Sequence, residues 1–149
     1  MMDVMLQHPR LILGCKYPEA VLPLIERAQR TIDIVIFDWR IYESQPKHPV
    51  MLFAQSVRNA HSRGVRVRVL GANGTTRAKL AQWGFRVREL HGWRLVHAKM
   101  LLVDGRYAVI GSHNFTQSAF TKNLEISVAL DLCADDGECQ KYFDGLWGV

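Results

Sequence analysis

The sequence predicts an α/β protein in which a mixed β-sheet is flanked by helices. Two observations support this prediction. Short β-branched and aromatic segments alternate along the chain with segments whose apolar residues recur at helical spacing, a pattern typical of the α/β class. The composition, 48% hydrophobic and 22% charged over 149 residues, is that of a globular protein and excludes disordered and collagen-like chains. Because this length suits one hydrophobic core, we expect residues 1–149 to form a single domain.

The first half of the chain begins this alternation. Residues 20–30 place their apolar side chains on one helical stripe. Residues 31–39 are β-branched and aromatic, which predicts a buried strand. Residues 43–49 are polar with two prolines and predict a loop. Residues 50–63 return to helical spacing and end at Gly64, a residue common just after helices.

The middle of the chain combines valine with arginine. Residues 65–70 and 85–89 alternate the two residue types, which predicts half-buried strands with Arg66 and Arg68 on the solvated face. Residues 75–83 predict a short helix between them. The remaining predicted elements are strands over residues 95–103, 107–111 and 125–130, a short helix or turn over 116–122, and a closing helix over 136–147.

Charge is distributed unevenly along the chain. The formal net charge is +5, but residues 65–106 carry nine basic and two acidic side chains, whereas residues 107–149 carry two basic and six acidic ones. A surplus of this size in the middle of the chain suggests an anionic partner, either nucleic acid or a lipid headgroup. An ordinary solvated face is the simpler explanation when charge is considered alone.

Several classes of protein are disfavoured. No apolar run approaches the roughly 18 residues that a membrane span needs, so we expect no integral membrane segment. Residues 1–10 lack a secretory signal, which leads us to expect a cytoplasmic protein. Cys15, Cys133 and Cys139 form no C-x-x-C pair, so we expect neither a disulfide framework nor a structural metal site.

Residues 97–105 combine side chains that suit chemistry at phosphorus. Side chains two residues apart on a strand share a face, so His97 and Lys99 should point the same way. Asp104-Gly105 is typical of a two-residue hairpin turn between apolar strands. Asp104 is therefore interpreted mainly as a turn residue.

A tight turn at this point also predicts the register of the hairpin. It places Met100 opposite Val109 and His97 opposite Ser112, with Asn114 just beyond the end of the strand. The open end of the hairpin would then gather an imidazole, an ammonium, a hydroxyl and a carboxamide around a space that fits a phosphate. Each residue taken singly is commonplace in surfaces, cores or loops. Their conjunction at fixed offsets favours a site.

These offsets resemble the signature of the phospholipase D superfamily. The matching residues are His97, Lys99, Asp104, Gly111, Ser112 and Asn114. The segments Asn114-Phe115-Thr116 and Lys122-Asn123, followed by Glu125, are similar to the branch of small single-motif bacterial endonucleases, and the resemblance extends over roughly residues 15–147. It implies a phospholipase D-like fold, with Asp104 and Gly111 as structural members of the motif.

The resemblance also implies a mechanism through a phosphohistidine. His97 would attack phosphorus while a second histidine protonates the leaving oxygen from the opposite side. Lys99 and Asn114 would hold the non-bridging oxygens, Glu125 would orient the imidazole, and Ser112 completes the catalytic set. Because Lys99 supplies the positive charge, neither a metal ion nor another cofactor is required.

One motif supplies one histidine, which leads us to expect a homodimer. None of the other histidines has a lysine two positions later; these are His8, His48, His61, His91 and His113. A two-fold axis between two hairpin ends would bring together one His97 from each chain. His113 should point away from Ser112, and we interpret it as a structural or substrate-contact residue.

The motif determines the chemistry and leaves the substrate open. The basic middle segment and the nucleolytic branch favour a sequence-nonspecific endonuclease acting on DNA or RNA. We expect Arg94 to bind substrate together with Lys99 and Asn114. The alternatives are a lipid phosphodiesterase of the phospholipase D or cardiolipin type, a non-catalytic nucleic-acid-binding or dimerisation module, and the catalytic domain of a longer enzyme.

Other residues near the basic strands have less specific interpretations. Trp83 and Trp93 could stack on bases, but we favour a place in the core or in a dimer interface, and the same for Trp39. Lys47 and His48 lie in the polar loop, where simple solvation is at least as good an explanation as contact with substrate at the rim of the groove.

Overall fold

The computed structural model describes residues 9–92, 95–133 and 137–148. These residues form a seven-stranded sheet whose strand order is β1-β7-β6-β5-β2-β3-β4. The strands are β1 (Arg10–Leu13), β2 (Thr31–Ile36), β3 (Arg66–Gly71), β4 (Arg86–Arg88), β5 (Met100–Val103), β6 (Tyr107–Gly111) and β7 (Ile126–Asp131). The helices are α1 (Tyr17–Glu26), α2 (Pro49–Ser62), α3 (Gly74–Gln82), α4 (Gln117–Thr121) and α5 (Glu138–Trp147).

The sheet is mixed, as predicted. Strands β2, β3 and β4 run parallel, and the other neighbouring pairs are antiparallel. The short strand β1 was not predicted from the sequence. It pairs with β7 at the edge of the sheet and has too few residues to show a clear alternation. Within the described ranges, no helix is both long and apolar enough to cross a membrane.

Two apolar layers cover the sheet. The larger layer packs α1, α2, α3 and α4 against one face, and Trp39, Phe53 and Phe115 are fully buried in it. The core position expected for Trp39 is therefore confirmed. On the other face, α5 places Phe143 against the part of the sheet formed by β2, β3, β5 and β6. The remainder of that face, towards β1, lacks α5.

The predicted register of the β5–β6 hairpin is wrong by one residue. Met100 lies opposite Ile110, and Val103 lies opposite Tyr107. The turn therefore contains three residues rather than two, and it closes with a hydrogen bond from the amide of Arg106 to the carbonyl of Val103 at 3.0 Å.

The side chain of Asp104 fixes the turn to a distant part of the chain. Asp104 and Gly105 both adopt left-handed backbone angles, with φ of 55° and 66°. In this conformation the Asp104 carboxylate accepts hydrogen bonds from the backbone amides of Gln29, Arg30 and Thr31 at 2.7–3.2 Å. Asp104 is thus a turn residue, as expected, and it also binds the hairpin to the start of β2.

The expectation that Arg68 faces solvent is wrong. Its side chain is buried and pairs with the fully buried carboxylate of Asp33, while Arg66 at the start of β3 is exposed. The reason is that α5 returns over this face, where Asp144 also pairs with Arg68 at 2.8 Å. The valine–arginine alternation in β3 therefore does not mark a solvated surface.

Candidate active site

The predicted site residues meet at one edge of the sheet, where β5 and β7 begin and β6 and β2 end. The strand that was predicted to begin at residue 95 begins at Met100 instead. His97 and Lys99 therefore lie just before β5 and not within it. Ser112 and Asn114 follow β6, and Glu125 precedes β7. Since neighbouring strands here are antiparallel, these positions lie at the same edge.

His97 and Lys99 are in direct contact. The ammonium of Lys99 lies 3.4 Å from Nδ1 and 3.5 Å from Nε2 of His97, and it donates a hydrogen bond to the His97 carbonyl at 2.6 Å. The imidazole is exposed, whereas Lys99 is half-buried. The prediction that the two side chains point the same way is confirmed.

Phe37 supports this pair and was not identified from the sequence. Its ring centroid lies 5.3 Å from that of His97 and 5.6 Å from the ammonium of Lys99, and the ring is 42% exposed. It directly follows β2, which pairs with β5. An aromatic residue at the end of an apolar strand was visible in the sequence, but the pairing of that strand with the motif strand was not.

Electrostatics at Lys99 reflect two opposing effects. Partial burial lowers the pKa of Lys99 below its usual value, and the negative charge of Glu125 opposes that shift. The lysine thus lies in a partly desolvated position within reach of a carboxylate. A cation in such a position interacts more strongly with a bound anion than one in open water.

Glu125 is held by its own chain. Ser112 donates a hydrogen bond from Oγ to Oε2 of Glu125, and Asn123 donates one to Oε1 at 3.0 Å. Ser112 Oγ also accepts a hydrogen bond from the amide of Ile126 at 3.0 Å. The role of Glu125 in orienting His97 stays a prediction, because its hydrogen bonds here are to Ser112 and Asn123.

Asn114 and Gly111 occupy defined positions. The Oδ1 atom of Asn114 accepts a hydrogen bond from the amide of Asp38 at 3.1 Å, which leaves the side-chain NH₂ group as the donor that can meet an anion. A Cβ atom at Gly111 would lie 2.4 Å from both the carbonyl oxygen of Ile126 and the Cα of Ser127. Glycine is therefore needed where β6 passes β7.

The other described histidines have separate environments. His113 is buried between the Ser127 hydroxyl at 2.7 Å and the Gly14 carbonyl at 2.6 Å, which confirms its structural interpretation. His48 caps α2 by accepting from the amide of Val50. The ring of His61 packs on Phe85, and His91 is exposed beside Glu89. In the part of the chain that the structure describes, no second imidazole contacts His97; His8 lies outside it.

The basic segment does not form one surface beside the motif. Among its described members, Arg77 pairs with Glu89, Lys79 with Glu43, and Arg106 with Asp131, in addition to the ion pairs of Arg68. Arg66 and Arg86 are exposed but lie on β3 and β4, two and three strands away from β5. Arg94 and Trp93 lie outside the described residues. Trp83 packs at the margin of the core beneath Arg58, at 4.7 Å.

An apolar groove of about 650 Å³ runs from Lys99 between α5 and the sheet. Its floor includes Val35, Met100 and Ile110, and Tyr142 of α5 forms part of its wall. Among the described residues, no cluster of three or more His, Cys, Asp or Glu side chains is arranged to hold a metal ion.

Comparison with known sequences identifies relatives. Residues 21–147 match the family described as cardiolipin synthase, PLD-like domain. The mitochondrial cardiolipin hydrolase of Xenopus tropicalis is 32% identical over an alignment of 152 positions, gaps included, that covers 94% of this chain and 68% of that protein. The chain spans between 56% and 68% of the length of the first three curated relatives that it matches.

Comparison with solved structures identifies proteins that share this fold. NucT from Helicobacter pylori superposes with a TM-score of 0.78 at 17% identity, covering 95% of this chain and 96% of NucT. Nuc from Salmonella typhimurium, a phospholipase D family member, superposes with a TM-score of 0.74 at 21% identity, covering 95% of each chain. With a family match over most of its length and the fold of these proteins, the chain belongs to the phospholipase D superfamily, whose members are phosphodiesterases.

Proposed function

We propose that this chain is a metal-independent phosphodiesterase that cleaves DNA or RNA without sequence preference through a phosphohistidine at His97. The observation that carries the proposal is the exposed His97 imidazole, both of whose ring nitrogens lie within 3.5 Å of the Lys99 ammonium. An exposed imidazole can reach phosphorus, and the adjacent ammonium can neutralise the non-bridging oxygens.

The reaction proceeds in two displacements. A ring nitrogen of neutral His97 attacks phosphorus, a P–N bond forms, and the P–O bond to the leaving group breaks. A protonated second imidazole on the opposite side gives its proton to the leaving oxygen. Water then attacks phosphorus, the second imidazole takes a proton from that water, and the P–N bond breaks to release His97. Lys99 and the Asn114 NH₂ group hold the non-bridging oxygens throughout.

The second imidazole comes from another copy of the chain in this proposal. The described part of one chain supplies no second imidazole in contact with His97. A two-fold axis beside the ends of these strands would add the partner's His97 on the far side of phosphorus. Random exchange of equal amounts of wild-type and His97→Ala chains would leave about a quarter of the dimers with both histidines. We expect the mixture to retain about a quarter of the activity of the same amount of wild-type protein. Activity at half of the wild-type level would contradict the shared site.

Support for a nucleic-acid substrate comes from the single-motif organisation and from size. The superposition covers nearly the whole length of NucT and of Nuc, so each of these two proteins consists of the same folded unit as this chain. The exposed side chains of Arg66 and Arg86 add positive charge at the far edge of the sheet. Charge contributes less to this choice than the sequence suggested, because several basic residues are paired internally.

A lipid phosphodiester is the second candidate. The apolar groove reaches Lys99. A phospholipid whose phosphate is bound at Lys99 could therefore place an acyl chain in the groove between α5 and the sheet. The Xenopus tropicalis relative is named a cardiolipin hydrolase, which adds to this candidate. A hydrophobic groove adjoining a phosphate site suits an amphiphilic substrate better than the charged backbone of a nucleic acid.

One experiment tests the chemistry and separates the candidates. Double-stranded DNA, single-stranded DNA, RNA and cardiolipin vesicles are each incubated with the protein, with and without EDTA. His97→Ala should abolish turnover, whereas His91→Ala, which removes an exposed imidazole that lies beside Glu89, should retain it.

Each result has a definite consequence. Nucleic-acid cleavage that resists EDTA supports the proposal, and loss of cleavage with EDTA contradicts its metal independence. Turnover of cardiolipin alone selects the second candidate. Binding of nucleic acid without cleavage by any preparation would instead indicate the non-catalytic module.

A further inference from the structure

A charged cavity adjoins the candidate active site beyond the ends of β2 and β3. It has a volume of about 300 Å³, and its wall includes Phe37 and Arg40 after β2, Asn73 after β3, and Val96. The ring of Phe37 contacts that of His97, and Val96 directly precedes His97 in the chain. The cavity therefore lies beside the imidazole, at the edge of the sheet where the candidate site is found.

Arg40 is held in place by contacts that also hold Asn114. Its Nε atom pairs with Oδ1 of Asp38 at 2.8 Å, and its backbone amide donates a hydrogen bond to the carbonyl of Phe115 at 3.0 Å. The amide of Asp38 in turn donates to Oδ1 of Asn114 at 3.1 Å. Arg40 is thus fixed relative to a side chain that we assign to the non-bridging oxygens of the scissile phosphate.

The terminal nitrogens of Arg40 are available to a ligand. The side chain is 57% exposed, and within the described ranges neither Nη1 nor Nη2 donates a hydrogen bond to a protein atom. Arg77, the other described cation in the wall of this cavity, is bonded to Glu89 and to the carbonyl of Ala72 at 2.5 Å. A guanidinium has five N–H donors, so the contact with Asp38 leaves Arg40 able to bind an anion.

We propose that Arg40 binds the phosphate that neighbours the scissile one in a nucleic-acid strand. This inference rests on the proposed function, in which Lys99 and Asn114 hold the scissile phosphate. Arg40 follows Phe37 by three residues, a length of chain that spans at most about 11 Å, so its side chain is within reach of an adjacent phosphate. The planar fork of a guanidinium matches two oxygens of a phosphate group.

The space beyond Arg40 favours a nucleic-acid strand over a phospholipid. A second cavity, of about 680 Å³, shares Arg40 and Asn73 with the first and extends to Tyr42 and to the first turn of α3. A strand can therefore continue past Arg40, along a wall that includes the positive end of the α3 dipole. The apolar groove that suits an acyl chain runs from Lys99 between α5 and the sheet, and Arg40 does not line it. A chain with a phosphate in every residue is held by cations at successive positions, which a single lipid phosphodiester does not require.

Binding of a single-stranded thymidine decamer tests the proposal. Fluorescence anisotropy with His97→Ala gives the dissociation constant of the labelled decamer at several salt concentrations. Adding Arg40→Gln should raise this constant about 10-fold and reduce the slope of log Kd against log salt by ~0.7, the contribution of one phosphate contact. Arg40→Lys keeps the charge and should keep the slope. Arg58→Gln is the matched control, because Arg58 is an exposed arginine in the second half of α2, which leads to the end of β3 away from the site.

Turnover distinguishes a phosphate subsite from a general effect on Asn114. A thymidine dinucleotide has one phosphate, whereas a trinucleotide always presents one bond whose neighbouring phosphate lies on the side of Arg40. Arg40→Gln should lower the ratio of kcat/KM for the trinucleotide to that for the dinucleotide about 10-fold, and Arg58→Gln should leave this ratio as it is in the wild type. Equal losses on the two substrates would show that Arg40 acts only by positioning Asn114, and would overturn the subsite.

The remaining outcomes separate this proposal from the proposed function. Failure of the decamer to bind, or an unchanged salt slope in Arg40→Gln, overturns the subsite. Loss of cardiolipin turnover in Arg40→Gln with unaltered decamer binding assigns Arg40 to a lipid and also overturns it. If Arg40→Gln weakens binding and reduces the slope but the wild type cleaves no phosphodiester, the subsite stands and the proposed function fails.

Discussion

Replacement of Arg68 by methionine removes one partner from an ion pair beneath α5. The Asp33 carboxylate is fully buried and accepts hydrogen bonds from Arg68 at 2.8 and 2.9 Å and from Gln140 at 3.1 Å. Arg68 also donates to Asp144 at 2.8 Å. The hydrogen bond to Asp33 raises the pKa of Arg68 above its usual value against the effect of burial, so the guanidinium stays charged.

The expected loss follows from the charge that the substitution leaves behind. Removing one member of a buried pair costs about 3–5 kcal/mol, because the other charge remains in a low-dielectric environment. Gln140 would still donate to Asp33, and Asp144 is half-exposed and can be hydrated. We therefore expect a loss in the free energy of unfolding near the lower limit, about 3 kcal/mol. This is a large part of the 5–15 kcal/mol typical of a domain.

Urea denaturation followed by far-ultraviolet circular dichroism measures this loss. Arg66→Met is the control, since Arg66 is an exposed arginine two residues earlier on the same strand, and it should change stability by less than about 0.5 kcal/mol. The double variant Asp33→Leu with Arg68→Met should recover much of the loss, because both buried charges are then absent. Equal losses for Arg66→Met and Arg68→Met, or no recovery in the double variant, would refute the reasoning.

Two further predictions concern Asp131 and Phe37. Hydrogen bonds from Arg106 lower the pKa of Asp131 in the folded protein. The carboxylate therefore stabilises the fold at any pH above the ordinary pKa of aspartate, and this stabilisation disappears as the pH falls through the lowered pKa of the folded state. Asp131→Asn should therefore cost up to about 1 kcal/mol in thermal melts at pH 7 and almost nothing in strong acid; a cost independent of pH would contradict this. Phe37→Leu keeps apolar bulk but removes the aromatic face beneath Lys99, so kcat/KM should fall about 2- to 5-fold, equivalent to 0.5–1 kcal/mol. Wild-type kinetics in Phe37→Leu would exclude a contribution from the ring.

The part of the site that depends on local geometry was predictable from the sequence. The contact between His97 and Lys99 follows from their two-residue spacing in an extended segment, which needs no knowledge of the rest of the fold. The register of the hairpin was predicted wrongly, because it depended on the assumption of a two-residue turn. In the structure the pairing resumes at Tyr107, so Arg106 also belongs to the connection, and the Asp104 carboxylate binds amides more than 70 residues away, which the local sequence does not show.

Features that depend on distant parts of the chain could not be predicted. The alternation in β3 gave no sign that Arg68 would be buried, since its cover comes from α5, 76 residues later at Asp144. For the same reason, counting charges along the sequence overestimated the basic surface, because Lys79 and Arg77 pair with acidic residues that the fold brings beside them.

Asp104 lies at the opposite end of β5 from His97 and Lys99, and it acts on the pairing of β5 with β2. Its carboxylate binds the amides at the start of β2, so it prevents the two strands from sliding along each other. The register that results pairs Ile32 with Val103 and Val35 with Met100. Continued past the strand, this register would place Phe37 opposite Ala98, next to His97 in the chain, and the rings of Phe37 and His97 meet at 5.3 Å beyond the end of the paired region. A slip of one residue would move every side chain of β5 to the opposite face of the sheet and shift the residues that precede the strand. The aspartate of the motif therefore contributes to the position of the histidine from the far end of the strand, without entering the site.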